Sequence, residues 1–257
     1  MTPTELYRSF APSIAHIVVT NNGNRISSGS GFIIENKLVT CGHMISGMRS
    51  NAVSVRFPHA SGMQNPLWNF PNGFDDMRCA GFSDANSYDY AIFEPPAGMI
   101  LGPSLRFAQD EPDVGSAVCA LGFPFERDEL TLGHGLISAA VNSGVARLLK
   151  LDMSINPSNS GGPLINLENG EVVGVVARKA TGLSAAFDRL RGSFDQNIEI
   201  LNTVRGLSMG GIDPFEVFRV TQAQMKIVAT ELERSAQVGI GWAVYVDPLR
   251  SERAFSR

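Results

Sequence analysis

Cysteine is scarce: Cys41, Cys79 and Cys119 are the only three in 257 residues. An odd, sparse set gives no disulfide framework and no metal-ligand spacing, so neither a metal nor another cofactor is expected. Long apolar runs are lacking as well, and none approaches the roughly 18–20 residues that span a bilayer. Positive charge is not in excess: 21 Lys and Arg stand against 25 Asp and Glu, a net charge of −4. Such a chain offers no field for nucleic acid or anionic lipid, and no basic run makes a local one. The opening Met1-Thr2-Pro3-Thr4-Glu5 lacks the basic n-region and apolar h-region of a secretory signal, so the expected location is cytoplasmic. Internal repeats and low-complexity tracts are missing too.

What is present is an ordinary globular composition, 44% hydrophobic and 18% charged, with 26 Gly and 14 Pro to punctuate it. Thr2-Pro3-Thr4-Glu5 has the form of a capping box with Pro at the first helical position, which predicts a short helix through about Phe10. From there to about residue 180 the text is strand-like. Apolar, β-branched runs are cut by turn residues at Ser13–Thr20, Gly29–Glu35, Lys37–Thr40, Ala52–Phe57, Tyr90–Glu94, Ala117–Gly122, Gly135–Ala140, Leu148–Met153, Pro163–Asn166 and Glu171–Arg178. Short strands at these intervals predict closed or sandwiched all-β structure. The stretch from Pro95 to Asp113 reads as a connector, so the expected division is 1–103, with the helix and a first β unit, and 104–257, with a second.

From about 184 to 237 the periodicity changes from two to 3.6. Phe187, Leu190, Phe194, Ile198 and Leu201 recur at helical spacing; Asp213-Pro214-Phe215-Glu216 caps a second helix with the stripe Met225, Val228, Leu232. Both stripes are expected to be core contacts against the β body. Val238 to Val246 then returns to strand character.

The chemistry-bearing residues fall in three places. Asn156-Pro157-Ser158-Asn159-Ser160-Gly161-Gly162-Pro163-Leu164 sets a serine on a tight, Gly-flanked turn leading into an apolar strand. A serine hydroxyl needs a base in contact to act as a nucleophile, and backbone N–H groups to receive the oxyanion it creates. Of four histidines, His16 reads as packed, His59 as solvated and His134 as a weak rival. His43, at the end of the strand Leu38-Val39-Thr40, is the candidate base. Asp89 stands before the apolar run Tyr90-Ala91-Ile92-Phe93, where a buried carboxylate needs a hydrogen-bond donor. A His N–H is the natural donor and fixes the ring's tautomer. Cys41, two residues before His43, reads as a small apolar filler.

Gly29-Ser30-Gly31-Phe32-Ile33-Ile34, Leu38-Val39-Thr40 with His43, Asp89-Tyr90-Ala91-Ile92 and the segment Asn156 to Leu164 resemble the successive motifs of the trypsin-like serine proteases, most of all the HtrA/Deg branch. Leu121-Gly122-Phe123-Pro124-Phe125 and Gly239-Ile240-Gly241-Trp242-Ala243-Val244 are similar to that branch too. The chain order His, Asp, Ser is the order this fold uses. The resemblance implies a mainly β chain of two antiparallel barrels of the chymotrypsin type, with a short N-terminal helix and a helical insertion before the last strand. It implies a serine endopeptidase with His43, Asp89 and Ser160 as catalytic residues and an acyl-enzyme intermediate. The backbone N–H groups of Ser158 and Ser160 would form the oxyanion hole. Ser154, Ala177 and its neighbour Arg178, Gly241 and Ala243 would line the S1 pocket, where the lack of a carboxylate points to a small or medium apolar P1 residue. The partner is then a protein or peptide substrate.

Three departures from the family pattern stand out. Ser158 replaces the usual Gly, so the oxyanion hole is expected to be unformed or labile at rest. Asn159 replaces the Asp that receives the new N-terminus of secreted trypsins, which removes that activation route. No PDZ-like segment follows residue 250; the helical insertion is instead expected to gate the pocket or to receive a regulatory protein partner. Two other readings remain open from the residues: a silent protease-like binding module, and an esterase on the same site.

Overall fold

The computed structural model describes residues 1–46, 51–60, 67–97, 103–177, 182–203, 213–236 and 239–255. The chain divides into two units, Met1–Arg178 with Gly239–Arg257, and Lys179–Val238.

The first unit opens with helix α1, Pro3–Phe10, whose capping box forms as the sequence predicts. Glu5 N–H donates to Thr2 Oγ1 at 3.2 Å, and Thr2 N–H donates to Glu5 Oε2 at 2.8 Å. Leu6 is the residue this helix buries. Strands β1 (Ile14–Asn21), β2 (Asn24–Ile34), β3 (Lys37–Thr40), β4 (Ala52–Arg56), β5 (Leu67–Phe70), β6 (Cys79–Ser83) and β7 (Tyr90–Phe93) form one antiparallel sheet in the order β5-β4-β1-β2-β3-β7-β6. Its own core gathers Ile17, Val19, Ile33, Leu38, Val53, Val55, Trp68, Phe74 and Phe93. Strands β8 (Ala117–Gly122), β9 (Thr131–Ser143), β10 (Ala146–Leu151), β11 (Pro163–Asn166), β12 (Val172–Val176) and β13 (Gly241–Tyr245) close into a barrel in the order β10-β13-β12-β11-β8-β9. Closure removes the unpaired edges that an open sheet must protect. The expected pair of barrels is therefore seen as one closed barrel and one curled sheet.

The sheet and barrel share a core. Phe32, Ile34, Val39 and Ile92 belong to the same buried cluster as Val118, Leu121, Leu149, Leu164 and Val176. Backbone bonds cross as well: Leu105 N–H donates to Ile33 O at 3.1 Å, and Ser30 N–H to Ser160 O at 2.8 Å. The closest approach is at Gly161, at φ +87°, where a Cβ would sit 2.2 Å from Ser30 O and 2.9 Å from Cys41 N. Only a glycine permits both this backbone and this contact.

In the second unit, helices α2 (Gly182–Thr203) and α3 (Pro214–Ala236) pair with each other. Asp213 Oδ1 accepts the Phe215 N–H at 2.8 Å, which bears out the capping signal. Both stripes correct the sequence reading: Met225, Val228 and Leu232 are exposed by 50, 51 and 57%, and in the first stripe Leu190 is exposed while Phe187, Phe194, Ile198 and Leu201 are only half-buried. The face that α3 turns to α2 is instead the polar row Arg219, Gln222, Lys226 and Glu233, with Ala229 buried among them. Among the described residues no helix is long and apolar enough to cross a membrane.

Candidate active site

His43 sits in the single turn Gly42–Met44 that follows β3. Asp89 immediately precedes β7 and is 6% exposed. Its backbone is left-handed, φ +49°, and its N–H donates to Asp84 O at 3.0 Å. The two residues are joined at two points. Asp89 Oδ1 accepts the backbone N–H of His43 at 2.8 Å, and Oδ2 lies 2.9 Å from His43 Nδ1. A carboxylate only accepts, so Nδ1 carries a proton, and when the ring is the free base its lone pair is on Nε2. Orientation and tautomer are thus fixed together, as the sequence reading of Asp89 requires.

Ser160 ends a turn that is tied down on both sides. Asn159 N–H donates to Asn156 O at 3.1 Å, and Gly161 N–H to Val176 O at 2.7 Å. Gly161 lies against the backbone of Cys41, so the serine turn and the His43 turn meet at one place. Ser160 is 6% exposed. Among the described residues, no hydrogen bond joins Ser160 Oγ to His43; Nε2 faces Cys41 Sγ instead, at 3.5 Å. Burial opposes the imidazolium of His43, but the hydrogen bonds to Asp89 and Cys41 outweigh it and hold the pKa up, to about 10. Cys41 is therefore more than the filler that its sequence context suggested.

Ser158, expected to supply an oxyanion donor, has φ +71°, a conformation rare for a residue with a side chain. Neither its N–H nor that of Ser160 finds an acceptor among the described residues. Ser158 Oγ accepts from Ser28 Oγ at 3.0 Å, and its carbonyl accepts from Ser30 Oγ at 2.8 Å. In the sequence Ser30 stands out only as part of its motif, and Ser28 does not stand out at all. Neither contact has a local signal, since each spans about 130 residues.

The expected S1 residues lie on three adjoining segments. Ser154 is exposed, and its Oγ accepts Gly239 N–H at 2.9 Å. Gly241 packs so closely on the 153–155 segment that a Cβ would fall 2.4 Å from Ile155 Cγ1. Ala177 and Ala243 are buried on neighbouring segments, with Ala177 N–H donating to Trp242 O at 3.1 Å. Arg178 lies outside the described residues. Ser154 also borders a cavity of about 490 Å³ shared with Phe125, Thr131, Asn156 and Asn159. The three other histidines do not join the site: His16 is buried against Phe123, and His59 and His134 are exposed.

Known proteins share the sequence pattern and the fold of this chain. The sequence profile of the trypsin-like peptidase domain matches residues 29–175, more than half the chain, and the chain belongs to that family. It is 31% identical over 159 residues to the probable periplasmic serine endoprotease DegP-like of Halomonas elongata, covering 59% of this chain and 29% of that protein. It is 29% identical over 199 residues to the putative serine protease HhoA of Synechocystis, covering 72% of this chain and 44% of that one. With the mitochondrial serine protease HTRA2 of Bos taurus the identity is 31% over 179 residues, 65% of this chain and 35% of the relative. The chain thus spans less than half the length of these relatives. The crystal structure of the serine endoprotease from Yersinia pestis superposes with a TM-score of 0.55 at 23% identity, over 70% of this chain and 58% of that one. Rv3671c from M. tuberculosis H37Rv gives 0.57 at 17% identity, over 97% and 88%. Both likenesses concern the fold, the mainly β double-barrel arrangement of this family.

Proposed function

We propose that this chain is a serine endopeptidase that works through Ser160, His43 and Asp89. The observation that carries the reading is the double hold of Asp89 on His43 beside a serine turn fastened to the same strands. In the reaction, Ser160 Oγ attacks the peptide carbonyl carbon while Nε2 of His43 takes its proton. The imidazolium that forms is stabilised by Asp89. The carbonyl oxygen gathers negative charge and is received by the N–H groups of Ser158 and Ser160; loss of one such donor typically costs about 10²–10³ in rate. The proton on Nε2 passes to the leaving amine as the C–N bond breaks, and water then hydrolyses the acyl-enzyme by the same route in reverse. For this cycle Nε2 must turn from Cys41 to Ser160, as catalytic contacts often do on substrate binding.

Ser154 in place of a carboxylate, with Ala177, Gly241 and Ala243, favours a small or medium apolar P1 side chain over Lys or Arg. The substrate class is protein or peptide. The helical unit between β12 and β13 is the candidate regulator, either of access to the pocket or through a protein partner. A proteome-wide profile of new N-termini, wild type against Ser160→Ala, tests the reading. Cleavages present with wild type and absent with the variant, sharing small apolar P1 residues, support it; identical profiles would refute it.

One observation favours a second reading, a peptide-binding protein that retains the triad without using it: Ser160 and His43 are not hydrogen-bonded at rest. Binding of an unstructured polypeptide with no cleavage by wild type would support that alternative.

A further inference from the structure

The oxyanion donor at Ser158 depends on which way the Pro157–Ser158 peptide faces. A planar trans peptide points its C=O and N–H in opposite directions. Phe125 N–H donates to Pro157 O at 2.9 Å, which fixes the carbonyl end of this peptide and hence the direction of the Ser158 N–H. The carbonyl on the other side of Ser158 is held by Ser30 Oγ at 2.8 Å. Ser30 is itself oriented: its Oγ accepts Phe123 N–H at 2.9 Å, which leaves its own proton for Ser158 O.

Two residues at this contact, Phe125 itself and Ser158 just after Pro157, are left-handed without being glycine, at φ +57° and φ +71°. Such backbones persist only where the surroundings over-determine them. For Phe125 and Ser158 the flanking carbonyls supply part of the constraint. The side chain of Ser158 supplies the rest, because its Oγ accepts from Ser28 Oγ at 3.0 Å. Ser28 and Ser30 lie two apart on β2 and so present their hydroxyls on one face of the strand. Ser28 is 6% exposed and Ser30 fully buried, while Ser158 is half-buried, so the donor ends of these bonds are shielded from water. A glycine at position 158 would adopt this backbone without help but would have no hydroxyl to hold.

We propose that Ser28 is a positioning residue: through the Ser158 hydroxyl it clamps the oxyanion loop in the left-handed conformation that keeps the Ser158 N–H available to the reacting carbonyl. This rests on the protease reading above. The clamp makes Ser158 a workable substitute for glycine, and it ties the donor to β2 of the first sheet as well as to the barrel that carries Ser160.

A double-mutant cycle with a peptide substrate tests the clamp, using wild type, Ser28→Ala, Ser158→Gly and the double variant, with Ser160→Ala as the blank. Ser28→Ala is expected to lower kcat about tenfold with little change in KM, since a positioning bond matters most where charge develops. The loss is expected to vanish in the Ser158→Gly background, where no hydroxyl remains to be held. A merely structural role would instead give the same loss in both backgrounds, and that result, or an unchanged kcat in Ser28→Ala, would overturn the proposal. Turnover by wild type no greater than the Ser160→Ala blank would refute the protease reading itself. A crystal structure of Ser28→Ala decides the clamp in either case: a Ser158 φ that stays near its present value counts against it, and a rotated Pro157–Ser158 peptide supports it.

Discussion

Cys41 Sγ lies 3.5 Å from Nε2 of His43, on the ring nitrogen that must accept the Ser160 proton. The thiol and Asp89 hold the two sides of one imidazole, and both favour its charged form. In this arrangement the base is occupied before substrate arrives.

Activity is therefore expected to rise with pH. With a pKa of about 10, His43 is mostly imidazolium at neutral pH, and the free base grows only as pH climbs towards that value. Cys41→Ala removes one of the two groups that raise it, so the acidic limb of the kcat/KM profile should move towards neutral pH. Profiles of wild type and variant from about pH 6 to 10 check this; superimposable limbs would contradict it. The same linkage acts on stability. The folded-state pKa is raised, so the stabilisation is fully present below the unfolded value of about 6.5 and is lost as pH rises through about 10.

Asp89→Asn should be the most damaging change that leaves the nucleophile in place. An amide at this position can donate as well as accept, so Nδ1 is no longer forced to carry the proton. A loss in kcat of the order of 10⁴ is expected, with the fold retained, measured by peptide turnover alongside circular dichroism.

His16 gives a pH effect of the opposite sign. It is fully buried and stacked on Phe123 with ring centroids 4.7 Å apart, and burial lowers its pKa to about 4 despite Asp128 at 3.1 Å. The unfolded chain binds this proton more readily, so stability is intact above about pH 6.5 and falls as pH drops towards 4, by about 3 kcal/mol in all. His16→Phe should flatten the acid side of the Tm-against-pH curve; an unchanged acid slope would contradict the assignment.

Gly161→Ala should unfold or badly distort the site. Its Cβ would meet Ser30 O at 2.2 Å and Thr40 Oγ1 at 2.3 Å, at a φ of +87°. A loss of about 3 kcal/mol or more is expected, read by denaturant titration.

Much of this was legible in the sequence, and the exceptions have physical causes. Lys37–Thr40, Ala117–Gly122 and Pro163–Asn166 coincide with β3, β8 and β11 because each is a compact apolar run bounded by turn residues. The strands Leu67–Phe70 and Cys79–Ser83 were missed: they are sheet-edge strands that bury few side chains and so show little apolar patterning. β9 runs from Thr131 to Ser143, well beyond the predicted Gly135–Ala140, because its flanks mix polar and apolar residues and bury none fully. The pairing of His43 with Asp89 could be anticipated because a buried carboxylate demands a donor. Ser28 could not, because its partner Ser158 lies 130 residues away and nothing local marks a serine as the far end of a clamp.

Ser160 as the nucleophile can be tested with a fluorophosphonate, which forms a stable adduct on an activated serine. Intact-mass measurement followed by peptide mapping should show one adduct, on the peptide that carries Ser160, absent in Ser160→Ala and strongly reduced in His43→Ala. An adduct on another serine, or no adduct from pH 7 to about pH 10, where His43 is expected to become the free base, would contradict the account.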